Sequence, residues 1–261
     1  ALDGDGDRCL LIESTENGAR VVDGDKMADN VARAWDSIGV PNATMAFTIE
    51  TDLSLTSSQN RFGMQVNFLE CAVGDRWLTD QLSKHLIDSE NWPPIIGAED
   101  SGHLVLASPH PEIENKWSLV GDGAATLILQ LLVRALQHKN KNMVPSYKSG
   151  WKKRTSIIDT DRTKWTGEGI LANNVESMII DYFGNENCSF IRKTIEGETS
   201  LLLLSGNVNK FPVSIGIRNS GTQKKTSVSI RSMKKFEGLN ELTELIVEFL
   251  TKELVYSSSS D

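Results

Sequence analysis

Short apolar runs and stretches of helical periodicity take turns along the first half of the chain. Cys9-Leu10-Leu11-Ile12 reads as a short buried strand, followed by a turn at Asn17-Gly18. From 25 to 38, Met27, Val31, Trp35 and Ile38 recur at helical spacing; Asp23 or Asp25 can cap the first turn, and Gly39 with Pro41 beyond it marks the end. The pattern predicts a strand over 45–49, a polar helix-like stretch over 52–61 and an alternating strand over 64–69. A helix follows over 76–88, with Trp77, Leu78, Leu82 and Leu86 on one side. Ile95-Ile96 and 104–107 are apolar runs on either side of a polar loop, and 108–117 reads as an exposed, Pro- and charge-rich insertion. The strongest helix covers about 122–138. Its stripe of Leu127, Ile128, Leu131, Leu132, Ala135 and Leu136 is the expected core face, because apolar residues at this spacing usually mark burial. Strand and helix in alternation predict an α/β domain with a parallel or mixed sheet.

The pattern changes over 138–154, a polar stretch with a basic end that reads as a solvated linker. Beyond it come a strand near 155–158, a helix over about 168–183 and strands near 189–195 and 199–204. The segments 212–218 and 226–231 alternate apolar and polar residues as a half-buried hairpin does, and 239–254 forms a last helix on Leu242, Leu245, Ile246, Phe249 and Leu250. This half reads as α+β with an antiparallel sheet. The serine-rich end, 257–261, reads as a disordered tail.

With 261 residues and 39% apolar content the chain can bury a core large enough for two domains. A net charge of -8 and a pI near 5.1 argue against nucleic acid and anionic membranes as partners, since both call for broad basic surface. Cys9, Cys71 and Cys188 are odd in number, far apart and without CxxC spacing, which indicates neither a disulfide framework nor a zinc site and suits the reducing cytoplasm. No apolar run reaches the roughly 18 residues of a membrane span, and the amino end lacks the basic and apolar regions of a signal peptide. Nothing in the pattern specifies an oligomeric state.

Candidate chemistry lies in three loops. In Asp3-Gly4-Asp5-Gly6-Asp7-Arg8, three carboxylates alternate with glycines that let the backbone turn sharply. Either this is a solvated acidic turn or it is an oxygen cage for a hard divalent cation, Mg²⁺. An EF-hand is excluded, because counting from Asp3 its Gly and Glu positions hold Arg8 and Ser14. The second loop is Gly97-Ala98-Glu99-Asp100-Ser101-Gly102-His103. Here Glu99, Ser101 and His103 can hydrogen-bond vicinal sugar hydroxyls, and His103 can also move protons near neutral pH; the alternative is a structural histidine beside a strand. No GxSxG elbow frames Ser101 as a nucleophile. The third loop, Arg218-Asn219-Ser220-Gly221-Thr222-Gln223-Lys224-Lys225, offers donors for a phosphate without the order of a Walker A loop, and reads equally as a polar hairpin turn.

In their order along the chain, these loops, with Gly121-Asp122-Gly123 at a helix start and Val73-Gly74-Asp75-Arg76, resemble the α-D-phosphohexomutase superfamily. That superfamily includes phosphomannomutase/phosphoglucomutase and phosphoglucosamine mutase. The resemblance implies a mixed-sheet α/β domain followed by an α+β domain of the TATA-binding-protein-like kind. It divides the chain into a remnant of domain two with the metal loop (1–20), domain three with the sugar loop (21–140) and domain four with the phosphate loop (141–256). It implies Mg²⁺ on Asp3, Asp5 and Asp7, sugar hydroxyls on Glu99 and Ser101, and a hexose phosphate held through Arg218, Ser220, Gly221 and Thr222. Arg8 and His103 are the catalytic candidates. The implied reaction moves phosphate between C1 and C6 through a bisphosphorylated sugar.

Some positions depart from the family pattern. No segment matches the Thr-Ala-Ser-His-Asn-Pro loop that carries the family's phosphoserine, so this chain alone is expected to be inactive. Gln223-Lys224-Lys225 replaces the usual Glu-Pro or Thr-Pro, and Ala72 stands where some members carry Lys. The sugar is not specified, although Gly121-Asp122-Gly123 and Val73-Gly74-Asp75-Arg76 lean toward the phosphoglucosamine type. Two other readings stay open: a sugar-phosphate-binding protein without catalysis, and a phosphatase of the haloacid-dehalogenase type with Asp3 as nucleophile.

Overall fold

The computed structural model describes residues 1–255, so the tail expected at 257–261 lies outside the described residues. The chain forms two compact units: Ala1–Thr51 with Leu55–Lys148, and Asp52–Ser54 with the chain from Ser149 on.

The first unit opens with the acidic loop and an antiparallel hairpin of β1 (Leu11–Thr15) and β2 (Gly18–Val22). Here the expectation of a buried strand at 9–12 is corrected. Cys9 is buried, but the strand starts at Leu11 and pairs only with β2, which leaves Ile12 and Val21 largely exposed. Helix α1 (Gly24–Ser37) starts at Asp23, whose Oδ1 accepts a hydrogen bond from the Lys26 N–H at 2.9 Å. Strand β3 (Asn42–Thr48), the short helix α2 (Leu53–Ser57), β4 (Gln65–Cys71), α3 (Asp75–Ser83), β5 (Ile95–Ala98), β6 (Leu104–Pro109), β7 (Trp117–Gly121) and α4 (Gly123–Lys139) follow.

The sheet runs β4-β3-β5-β6-β7, with β3 parallel to β4 and to β5, and antiparallel pairing from β5 to β6 and from β6 to β7. Alternate residues of β3 serve opposite faces. Met45 and Phe47 join Met27, Val31 and Leu129 in the core under α1 and α4, while Ala46 joins Leu78 and Leu82 under α3. This three-layer arrangement, covered on both faces, explains the nearly continuous apolar runs of β3 and β5. Strand β7 begins at Trp117, the last residue of the expected insertion, and runs beyond it to Gly121; as an edge strand of half-buried and exposed residues it carries a weak apolar signal.

The face of α4 is the largest departure from expectation. Its buried row is Gly123, Thr126, Leu129, Gln130 and Val133, whereas Ile128, Leu131 and Leu132 are each 60% exposed and Leu127 and Leu136 are 36% exposed. Polar pairing explains the rotation. Gln130 Nε2 donates to the Met27 carbonyl at 3.0 Å, and Gln137 Nε2 donates to Asn30 Oδ1 at 3.2 Å, so the side of α4 carrying amides faces α1. Ile128 and Leu132 border an apolar groove whose walls include Trp92, Pro109, Trp117 and Val120.

The second unit is an antiparallel sheet in the order β8 (Trp151–Ile158), β12 (Lys225–Ser232), β11 (Phe211–Asn219), β10 (Leu202–Val208), β9 (Cys188–Arg192). Helices α5 (Gly169–Phe183) and α6 (Leu239–Leu254) cover it through Ala172, Val175, Ile179, Leu242, Ile246 and Leu250, which pack with Ile215, Ile217, Val228 and Ile230 of the central strands. Trp165 is buried there, and its indole N–H donates to the Ser200 carbonyl at 2.9 Å. Among the described residues no helix is long and apolar enough to cross a membrane.

The two faces of α4 give a direct stability test. Leu129→Ala should cost about 2–5 kcal/mol, as large-to-small changes in a packed core do. Leu131→Ala should stay within about 0.5 kcal/mol, as is usual for surface substitutions. Urea unfolding of both variants measures the difference; equal losses would place the core on the other face.

Candidate functional site

The acidic loop folds around Asp3. One of its oxygens, Oδ1, accepts hydrogen bonds from the Gly6 and Arg8 N–H groups, each at 3.2 Å, and Arg8 Nε donates to Oδ2 at 2.6 Å. Gly6 takes a φ of +78°, a left-handed turn that favours glycine. Carboxylate oxygens of Asp3, Asp5 and Asp7 come within 4.8 Å of one another. Burial pushes the Asp3 carboxyl up, but the Arg8 backbone N–H, the Arg8 guanidinium and Asp5 outweigh it and hold the pKa down to about 2. Asp7 Oδ1 makes no hydrogen bond among the described residues and lies 3.6 Å from Arg8 Nε. Such a cluster is self-repulsive, and with an oxygen in it that accepts no hydrogen bond the donor set fits a hard, oxygen-ligated cation.

Glycines bring the rest of the unit up to this loop. Cys9 N–H donates to the Gly102 carbonyl at 3.1 Å, and Arg8 and His103 form an isolated antiparallel bridge. A Cβ on Gly102 would lie 2.4 Å from the Cys9 carbonyl oxygen, so only glycine permits this approach. Helix α4 closes the other side: the Gly123 N–H donates to the Gly6 carbonyl at 2.9 Å, and Asp122 caps the helix by accepting from the Ala125 N–H at 2.9 Å. The start of α1 also meets the loop between β5 and β6, where the Gly24 N–H donates to the Asp100 carbonyl at 3.3 Å.

That loop carries the expected sugar residues. Glu99 Oε1 accepts from the Gly74 N–H at 2.7 Å, which ties it to the Val73–Arg76 segment, and Ser101 Oγ lies 3.5 Å from Glu99 Oε2. Burial is the main cause that raises the Glu99 pKa, with Glu50 and Asp100 adding to it, while the Gly74 N–H and His103 pull the other way. His103 is 5% exposed, and its Nδ1 lies 3.3 Å from Asp7 Oδ2. The structure thus brings Asp3, Asp5, Asp7, Arg8, Glu99, Ser101 and His103 into one unit, with Gly74 as the partner of Glu99 that pattern reading had only noted as part of a motif.

The expected phosphate residues belong to the second unit, in the turn between β11 and β12. Ser220 N–H donates to the Lys225 carbonyl at 2.9 Å, Ser220 Oγ accepts from the Gln223 N–H at 3.3 Å, and Gly221 and Thr222 are exposed. Arg218 is half-buried, with Nη1 3.9 Å from Glu198 Oε1. Arg162, not expected from the sequence, and Asn219 of the loop itself shape the turn. Arg162 Nη1 donates to the Ser220 and Gly221 carbonyls at 2.8 and 3.1 Å, and Asn219 Nδ2 donates to the Arg162 and Trp165 carbonyls at 2.9 and 2.8 Å. These contacts engage the turn's carbonyls from outside, while Gly221 and Thr222 are exposed.

A family model described as phosphoglucomutase/phosphomannomutase, alpha/beta/alpha domain III, matches residues 23–153. The chain belongs to this family. The superfamily read from the loop motifs is therefore the one found. Similar curated proteins include the phosphoglucosamine mutase of Photobacterium profundum, 38% identical over 106 residues that make up 41% of this chain and 21% of that protein. The phosphoglucosamine mutase of Ruthia magnifica subsp. Calyptogena magnifica is 30% identical over 167 residues, 63% of this chain and 32% of that protein. The chain thus spans about a third or less of the length of these relatives. Among solved structures, N-acetylglucosamine-phosphate mutase in its substrate complex superposes with a TM-score of 0.64 at 15% identity, covering 96% of this chain and 48% of that one. That likeness shows the mixed α/β fold and the sheet-rich second unit.

The buried carboxyl gives a pH test. Raised in the folded state above its ordinary value of 4.5, Glu99 takes stability away as pH rises through 4.5 toward its folded pKa, because the folded protein then holds the proton more tightly than the unfolded chain. Glu99→Gln removes this dependence while keeping an acceptor for Gly74. The urea midpoint of the variant relative to the parent should therefore rise between pH 4 and pH 7; a constant difference would show that Glu99 does not titrate abnormally.

Proposed function

We propose that this chain is the metal-, sugar- and phosphate-binding part of a phosphohexomutase that interconverts the 1- and 6-phosphates of an amino-hexose through a bisphosphorylated sugar. The convergence of Asp3, Asp5 and Asp7 beside the Glu99–His103 loop carries the reading, because it joins a cation-fitting cluster to hydroxyl-binding groups within one unit. Curated relatives named phosphoglucosamine mutase favour the amino sugar over mannose or glucose. Asp3, Asp5 and Asp7 would hold Mg²⁺, which when bound offsets charge on the transferring phosphoryl group. Glu99 and Ser101 take the sugar hydroxyls. Arg218, Ser220, Gly221 and Thr222 take the phosphate not being transferred, as a bidentate guanidinium, a hydroxyl pair and backbone N–H groups suit an oxyanion. Arg8, with its Nε 2.6 Å from Asp3 Oδ2, stands where it can both order the metal loop and meet negative charge brought to it. No segment of the sequence matches the phosphoserine loop, and the chain by itself therefore binds without turnover. The three cysteines, free among the described residues, suit a cytoplasmic setting.

Calorimetry of this chain with glucosamine 6-phosphate and Mg²⁺ tests the proposal. Binding should weaken about tenfold or more in Arg218→Ala, a loss in the range expected for a charge-assisted contact. Interconversion of the 1- and 6-phosphates by the chain alone should be undetectable. Equal affinity for the sugar phosphate in Arg218→Ala would remove the phosphate turn from the site. Mg²⁺ without added phosphate should bind more weakly than micromolar, since three carboxylates already shared with Arg8 make an incomplete ligand set.

A further inference from the structure

The outer side of α4 has no part in the site described above. Leu127, Ile128, Leu131, Leu132, Ala135 and Leu136 are all exposed there, and α4 carries no charged residue between Asp122 and Arg134 to solvate them. The apolar surface continues off the helix at Ile128 and Leu132, into the groove walled by Trp92, Trp117 and Val120. Exposed apolar side chains scattered singly are ordinary, whereas a contiguous patch of them marks an interaction site. The six helical positions form two rows at i, i+4 spacing, Leu127-Leu131-Ala135 and Ile128-Leu132-Leu136, with a shallow furrow between them.

We infer that two copies of this chain associate through α4, laid antiparallel about a two-fold axis that passes between Leu131 and Leu132. The rows are symmetric about that point. The two-fold operation sets Leu131 against Leu132, Ile128 against Ala135 and Leu127 against Leu136 of the second copy, each pair occurring twice. Every exposed apolar position of the stripe then meets an apolar one. Charge selects the same orientation. Asp122 stands at one end of α4, and His138, Lys139 and Lys141 stand at or just past the other. Antiparallel copies bring the acidic end of each helix to the basic end of its mate, whereas parallel copies would stack like charges and align the helix dipoles. Area sets the strength. Ten residues of helix are about 15 Å long and about 10 Å wide, so even with the groove walls the footprint falls short of the roughly 800 Å² that each partner of a stable complex buries. The pair therefore forms and dissociates with concentration, at a dissociation constant on the order of 10–100 μM. In dilute urea titrations the monomer is what unfolds, so Leu131→Ala leaves stability unchanged there.

Sedimentation velocity of the 261-residue chain, run from about 1 μM to about 300 μM, tests the pairing. The weight-average mass should rise with concentration from that of the 28.8 kDa chain toward twice that value. Leu131→Glu alone and Leu132→Lys alone should each hold the chain monomeric over the whole range, because each puts a charge at the apolar centre of the pair. An equimolar mixture of these two variants should associate again, since position 131 of one copy meets position 132 of the other and the new charges are opposite. Leu245→Lys, at an exposed leucine of α6, is the control and should associate as the parent does. Circular-dichroism melts check that the variants are folded, and the mixture demands a gain of association that an unfolded variant cannot supply. Three outcomes would overturn the inference: a parent that stays monomeric, which would leave the face to a partner of different sequence; association that survives both single substitutions; or a mixture that remains monomeric.

Discussion

The first unit depends on a close backbone approach between the acidic loop and the turn that joins β5 to β6. The Cys9–Gly102 hydrogen bond and the Arg8–His103 bridge hold two loops side by side, one carrying Asp3, Asp5 and Asp7 and the other Glu99, Ser101 and His103. Carboxylates gathered in this way repel one another, and the surroundings answer with Arg8 on Asp3, His103 on Asp7 and backbone N–H groups from Gly6 and Arg8. The glycines are what make the approach possible. Gly102, Gly121 and Gly123 each stand where a side chain would meet Cys9, His103 or the carbonyls of Gly6 and Arg8. Polar chemistry is thus set by small residues that contribute no functional group of their own.

In the second unit the turn between β11 and β12 is likewise held by its surroundings. The turn itself is short and exposed, and its conformation is held from outside by Arg162 and Asn219, with Thr226 Oγ1 donating to Asn219 Oδ1 at 2.9 Å. An arginine that donates to carbonyls on one side of a turn biases the N–H groups toward the other. Arg162 precedes the turn by more than fifty residues, and its guanidinium reaches the loop only because Asn219 anchors the 162–165 backbone beside β11.

Helix α4 illustrates how burial can follow hydrogen bonding instead of apolar content. A stripe of four leucines and an isoleucine is the more apolar side, yet the structure turns toward α1 the side bearing Thr126, Gln130 and Gln137. Gln130 and Asn30 satisfy one another and nearby carbonyls across the α1–α4 contact, at N···O distances of 3.0 to 3.5 Å, so that side loses little by burial. The apolar moment locates a helix and says nothing about which neighbours offer polar partners. The same limit explains Val120 of the edge strand β7 and Ile12 and Val21 of the β1–β2 hairpin, which are exposed while their neighbours Leu119 and Val22 pack inward.

By itself the sequence determined most of the helices and central strands, though not β7 or the hairpin of β1 and β2, together with the change from mixed α/β to antiparallel α+β architecture and the loops that carry carboxylates, hydroxyls and a guanidinium. These are local properties: periodicity of side chains, capping residues such as Asp23 and Asp122, and glycines at turns are all written within a few positions of one another. Only the tertiary structure decided that Glu99 answers to Gly74, that Arg162 holds the turn between β11 and β12, that His103 faces Asp7, and which side of α4 is covered. Each of these joins residues far apart in the chain through a specific distance, and the packing of whole layers, with no short-range signal in the chain, sets that distance.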